Sequence, residues 1–86
     1  MSDVTMPVRS RLKVVLSEFN TARVREGLEP VRVRDLAAEI ELSPSVITGL
    51  TSGRATRVDF RTLSKLCKRL DCQPGDLLVY TPDETE

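Results

Sequence analysis

The chain has no histidine and no tryptophan. Without histidine there is no ordinary base for a serine or cysteine nucleophile and no imidazole to bind a metal. No glycine-rich loop stands between a strand and a helix, and the carboxylates are scattered. Ser64 and Lys65 are neighbours on one predicted helix, so they point in different directions and make a poor nucleophile–base pair. An enzyme is not expected, nor is a cofactor. Aromatics are almost absent too, Phe19, Phe60 and Tyr80 being the full set. That excludes a platform that stacks the bases of single strands.

There are only two cysteines, Cys67 and Cys72, and their four intervening residues do not match a CxxC knuckle. Cys67 falls on an apolar helical stripe and is expected to be a buried thiol. No apolar run approaches 18 residues, and the opening MSDVTMPVRSR lacks the apolar stretch of an export signal. A soluble, cytoplasmic protein without a membrane partner is therefore expected.

What is present fits one small domain. Eighty-six residues, 40% of them hydrophobic, allow one modest core. Formal net charge is zero but unevenly spread. Every Lys and Arg lies before Asp71, whereas the stretch from Asp71 onward holds acids and no base. A basic body with an acidic end suits a polyanion, provided the acidic end points away from it, and is equally compatible with ordinary solubility.

Helical periodicity runs through most of the chain. Val8, Leu12, Val15, Leu16, Phe19 and Ala22 recur at spacings of three and four, and Gly27 supplies a stop. Val33, Leu36, Ala37 and Ile40 mark a two-turn helix. The next begins with Ser43 as N-cap and Pro44 in its first turn, buries Val46, Ile47 and Leu50, and ends at Gly53. After a loop, Asp59 is the expected N-cap of a helix whose apolar stripe is Phe60, Leu63, Leu66, Cys67 and Leu70. QPGDLL reads as one further turn. VTMPV and LLVYT could pair as a short two-stranded ribbon between the termini, with Pro7 confining it to an edge.

The stretch LSPSVITGLTSGR, Leu42 to Arg54, is unusual. Its solvent face would carry Pro44, Ser45, Thr48, Gly49 and Ser52, all uncharged, in a chain that is 30% charged. Exposed helical faces are normally filled with Lys, Glu, Arg and Gln. Such a face is either a capped, solvated surface of no special use or a surface built for close approach. Two short helices joined by a tight turn, about residues 33–51, also have the spacing of a helix-turn-helix, with Leu42 plugging the turn.

DLAAEIELSPSVITGLTSGR, with TLSKLCKRLDCQPGDLL, resembles the Cro/C1-type (XRE-like) helix-turn-helix regulators. The most specific matches are Leu36-Ala37, Ser43, Ile47, Leu50 and Gly53. The resemblance implies an all-α fold, a compact, lambda repressor-like bundle of five helices whose third enters the major groove. It further implies binding to double-stranded DNA, a homodimer, and a regulatory role, most often repression.

Carried over by position, Pro44, Ser45, Thr48 and Gly49 face the bases. Their small size lets the backbone approach base edges, and the Thr48 methyl could pack on a thymine methyl. Ser43, Thr51, Ser52 and Arg54 would reach phosphates, and Arg32, Arg34, Arg57 and Arg61 would add positive charge. The chain departs from the family at several places: its first helix is longer than is typical, LEPVR adds residues before the second, and three positions differ in residue type. Glu41 stands where a turn glycine is usual, Val33 where a glutamine often opens the second helix, and Gly49 where many members carry a long polar side chain. The alternative function is a protein-binding module, or an antitoxin-like component, that keeps the helix-turn-helix fold and has a protein partner.

Overall fold

The computed structural model describes residues 8–82. In chain order these form β1 (Val8–Ser10), α1 (Leu12–Arg25), α2 (Val33–Glu39), α3 (Pro44–Ser52), α4 (Phe60–Leu70), α5 (Pro74–Leu77) and β2 (Leu78–Tyr80). The fold is thus predominantly helical, with five helices and one small two-stranded sheet, as expected from the sequence. Each helix sends one fully buried aliphatic side chain to a common core: Leu12, Leu36, Ile47, Leu66 and Leu77. Burying each of these is worth about 1.5–3 kcal/mol relative to exposure.

Helix starts follow local chemistry. The Ser43 hydroxyl accepts the Ser45 amide at 3.1 Å, and the Asp59 carboxylate accepts the Thr62 amide at 2.8 Å. Both satisfy amides that have no partner within their own helix. At α5, the Gln73 amide donates to Asp76 at 2.8 Å, one half of a capping box.

Four helices end in one way, with a left-handed residue followed by an amide that reaches back to the carbonyl five positions earlier. Leu28 donates to Arg23 at 2.9 Å, Leu42 to Ala37 at 2.9 Å, Arg54 to Gly49 at 3.0 Å and Cys72 to Cys67 at 3.0 Å. The left-handed residues are Gly27, Glu41, Gly53 and Asp71. At Gly27 and Gly53 this geometry is free of Cβ strain. Glu41 (φ 59°) and Asp71 (φ 54°) bear that strain, and each also sets an acidic side chain at the negative end of a helix.

The connection from α1 to α2 is tied down by one side chain. The Asn20 amide nitrogen donates to the Val31 carbonyl at 2.8 Å, and its oxygen accepts the Val31 amide at 2.7 Å. Val31, 5% exposed, thereby enters the core with both backbone groups satisfied. On the other side, Arg69 of α4 bonds Glu39 of α2 and lies 5.2 Å from the centre of the Phe19 ring of α1.

Several expectations are corrected. Val8 belongs to β1, because its backbone pairs with Tyr80 and the chain turns into α1 only after the Arg11 amide meets the Leu77 carbonyl at 2.7 Å. The ribbon exists but is displaced along the chain, with Val8 opposite Tyr80, Arg9 opposite Val79 and Ser10 opposite Leu78. The earlier part of VTMPV lies outside the described residues. Ala22 is exposed, since the last turns of α1 extend past the core. Phe60 is 86% exposed: side chains on a helix lean toward its N-terminus, so the first residue of α4 projects off the end, and Thr62 is buried instead. Cys67 is half-buried. Val46 is 39% exposed, because Ile47 and Leu50 already centre the buried stripe and Val46 sits 100° around the helix from Ile47.

Two predictions test these readings. Glu41→Gly and Asp71→Gly should each stabilise the fold by about 0.5–1 kcal/mol, seen as a rise in Tm of a few degrees. Asn20→Ala leaves the buried Val31 amide and carbonyl without partners and should cost about 2 kcal/mol, measured as a lower urea midpoint at unchanged m.

Candidate nucleic-acid interface

The α2–α3 corner determines what α3 shows to solvent. Ala37 and Leu36 of α2 and Ile47 and Leu50 of α3 are buried, and the half-buried Leu42 fills the turn between the helices. With Ile47 and Leu50 turned inward, Pro44, Ser45, Thr48 and Ser52 face outward, and Gly49 is half-buried beside them.

The hydroxyls on this surface differ in availability. Ser43 and Ser45 share a hydrogen bond at 2.7 Å. Thr51 donates to the Thr48 carbonyl at 3.2 Å, and Ser52 to the Gly49 carbonyl at 3.4 Å. Of the face's hydroxyls, only that of Thr48 makes no hydrogen bond among the described residues. It is free to meet an incoming group.

Exposed arginines precede and follow α3 in the chain, and Arg54 and Arg57 share a groove with it. Arg32 and Arg34 stand exposed at the start of α2, and Arg54, Arg57 and Arg61 are exposed in and after the loop that follows α3. None of these five guanidinium groups makes a salt bridge among the described residues, where the one ion pair joins Arg69 to Glu39.

A groove of about 420 Å³ runs along one flank of α3. It brings Ser45 and Gly49 together with Arg54 and Arg57, and with Val46, Ala55, Val58 and Asp59. Pro44, Thr48, Arg32, Arg34 and Arg61 do not line it. Asp59 is a negative charge in a basic setting, but its carboxylate is engaged as the α4 cap. Hydrogen bonding from Thr62 holds its carboxyl below the usual aspartate range, with Arg61 and Lys65 lowering it further.

Residue types alone did not reveal Val46 or Ala55 as part of this surface. The available signal was angular: once Ile47 and Leu50 are taken as the buried pair, Val46 falls at the edge of the stripe. The two cysteines contribute nothing here. Both are free and line a separate groove with Phe60 and Pro74. Burial, followed by the neighbouring Cys67 thiol, pushes Cys72 up to about 11, so it stays protonated at neutral pH. No helix among the described residues is long and apolar enough to cross a membrane.

Comparison with known proteins agrees with this geometry. A model of the Cro/C1-type HTH DNA-binding domain matches residues 30–83. The chain is also similar to YozG, an uncharacterized HTH-type transcriptional regulator of Bacillus subtilis (strain 168), with 36% identity over 52 residues. The match covers 60% of this chain and 62% of that protein. No solved structure matches the chain.

Gly49 is not demanded by the fold. A Cβ built there would meet Ala55 Cβ at 3.7 Å, an ordinary contact, and its backbone needs no positive φ. Gly49→Ala should therefore stabilise the isolated protein by up to about 1 kcal/mol through helix propensity, measured by urea unfolding.

Proposed function

The chain belongs to the Cro/C1-type helix-turn-helix DNA-binding domain family, and on that premise we propose that it binds double-stranded DNA sequence-specifically and acts as a transcriptional repressor. In this reading α3 lies in the major groove. Pro44, Ser45, Thr48 and Gly49 face base edges, while Ser43, Thr51, Ser52, Arg32, Arg34, Arg54, Arg57 and Arg61 serve the phosphates. The observation that carries it is the uncharged outer face of α3, accompanied by exposed guanidiniums that make no salt bridge among the described residues.

The size of α3 supports this placement. Nine residues span about 13 Å, and a groove about 12 Å wide admits a helix whose exposed side chains are short. Long charged side chains on the same face would reach phosphates first and hold the backbone away from the bases. The guanidiniums supply the attraction that does not depend on sequence, and the small face supplies discrimination.

One helix of this length reads only a few base pairs, so the protein acts as a homodimer on a two-fold site. Repression follows from occupancy: a dimer seated across a promoter blocks access to it.

Fluorescence anisotropy against its own promoter region and a scrambled duplex, at about 50 and 200 mM salt, tests the reading. Preference for the promoter should survive the higher salt, while binding to the scrambled duplex falls away. Thr48→Glu places a carboxylate against the duplex from an exposed position, so it should reduce promoter binding to the scrambled level with Tm unchanged. Wild-type binding by Thr48→Glu would show that α3 is not the reader.

A further inference from the structure

Between Pro44 and Ser52 the reading helix holds no Arg, Lys, Gln or Asn, and so no side chain able to grip a base edge bidentately. What its open flank holds is hydrocarbon. Val46 is 39% exposed and lies one turn from Gly49, and both line the groove of about 420 Å³ beside α3. Ala55 and Val58, from the loop that follows, form more of its wall. At Gly49 an added carbon would sit 3.7 Å from Ala55 Cβ, so this wall has room for about one methyl group at van der Waals distance.

The groove opens on the same side of the protein as the small polar face, since Ser45 belongs to both. Arg54 and Arg57 line it as well, and neither makes a salt bridge among the described residues. An apolar notch flanked by two cations suits an occupant that combines a small hydrocarbon group with nearby anions. Duplex DNA offers that combination at one place, the C5-methyl of thymine between its phosphate rows. Asp59 does not compete with it, because its carboxylate is turned to the Thr62 amide at 2.8 Å.

We propose that Val46, Gly49 and Ala55 form a thymine-methyl notch, making Val46 a specificity-determining residue. The proposal rests on the reading of α3 as the groove-facing helix and goes further by naming the base and the group recognised. Readout on this flank is then by shape and hydrophobic contact, and Gly49 serves it by leaving space. It is separate from any contact the Thr48 methyl makes on the other flank of the helix.

The test uses the full chain and a duplex selected from a randomised library. Each thymine of that duplex is replaced in turn by deoxyuridine, which removes only the C5-methyl. For the wild type, one thymine per half-site should show a loss of roughly fourfold, the value of one buried methyl group. Val46→Ala should bind the unsubstituted duplex weaker by a similar factor and be indifferent to deoxyuridine at that position. Gly49→Ala, which fills the notch while favouring the helix, should also lose that sensitivity. Cooperative thermal unfolding of both variants, with the Tm of Gly49→Ala at or above that of the wild type, excludes misfolding as the cause.

If the wild type binds every deoxyuridine duplex equally, the notch reads no methyl and the proposal fails. It also fails if Val46→Ala keeps the full deoxyuridine penalty, since the methyl is then read by another residue such as Thr48. Either result leaves the groove placement of α3 standing. Failure to select any duplex would overturn that placement, and the notch with it.

Discussion

One backbone hydrogen bond at the α2–α3 corner, from the Leu42 amide to the Ala37 carbonyl, constrains the rest of the site. It closes α2 through the left-handed Glu41 and brings the chain out at Ser43 in the extended conformation that a capping residue needs. Leu42 is thereby held against the core, Ile47 and Leu50 point inward, and the remaining faces of α3 are set without further adjustment. The chain maintains this corner despite an acidic side chain at a position where glycine is easier. The corner is thus held by the packing around it, chiefly the burial of Leu36, Ala37, Ile47 and Leu50.

Much of this architecture is legible in the sequence because its punctuation is chemical. Ser43-Pro44, Asp59, Gln73-Pro74, Gly27 and Gly53 each satisfy or terminate a helix end by a mechanism local to a few residues, and the helices begin and end there. What escaped was set by angle and position. Val46 and Phe60 look like core residues by type, yet one lies at the margin of its stripe and the other at the mouth of its helix. The ribbon was legible as a pairing but not in register, because three-residue strands give no long alternation to fix it. The left-handed Asp71 had no sequence signal, while that of Glu41 was foreshadowed only by the family's glycine.

The candidate site divides in the same way. Its uncharged face followed from composition, since a run without Lys, Glu, Arg or Gln stands out in a charged chain. Its groove did not, because it joins α3 to the 53–59 loop, and loop geometry has no periodicity to read. Gly49 belongs to both. It looks like a weak helix residue in sequence, and the structure shows that nothing in the fold requires it. The packing of the fold therefore gives no reason for glycine at that position.

The ribbon bears on the order in which the molecule assembles. β1 and β2 join residues from opposite ends of the described chain, whereas α2 and α3 meet across a four-residue turn. Closing the longer loop carries the greater entropic cost, and contacts distant in sequence form late. The α2–α3 corner is therefore an early structure and the ribbon a late one. On the return path the order inverts: the strands, with Val8, Val79 and Tyr80 exposed, open before the helices part. Amide exchange at Arg9 and Val79 would then be fast while Ile47 stays protected, and the surface formed by α3 outlasts the opening of the ribbon.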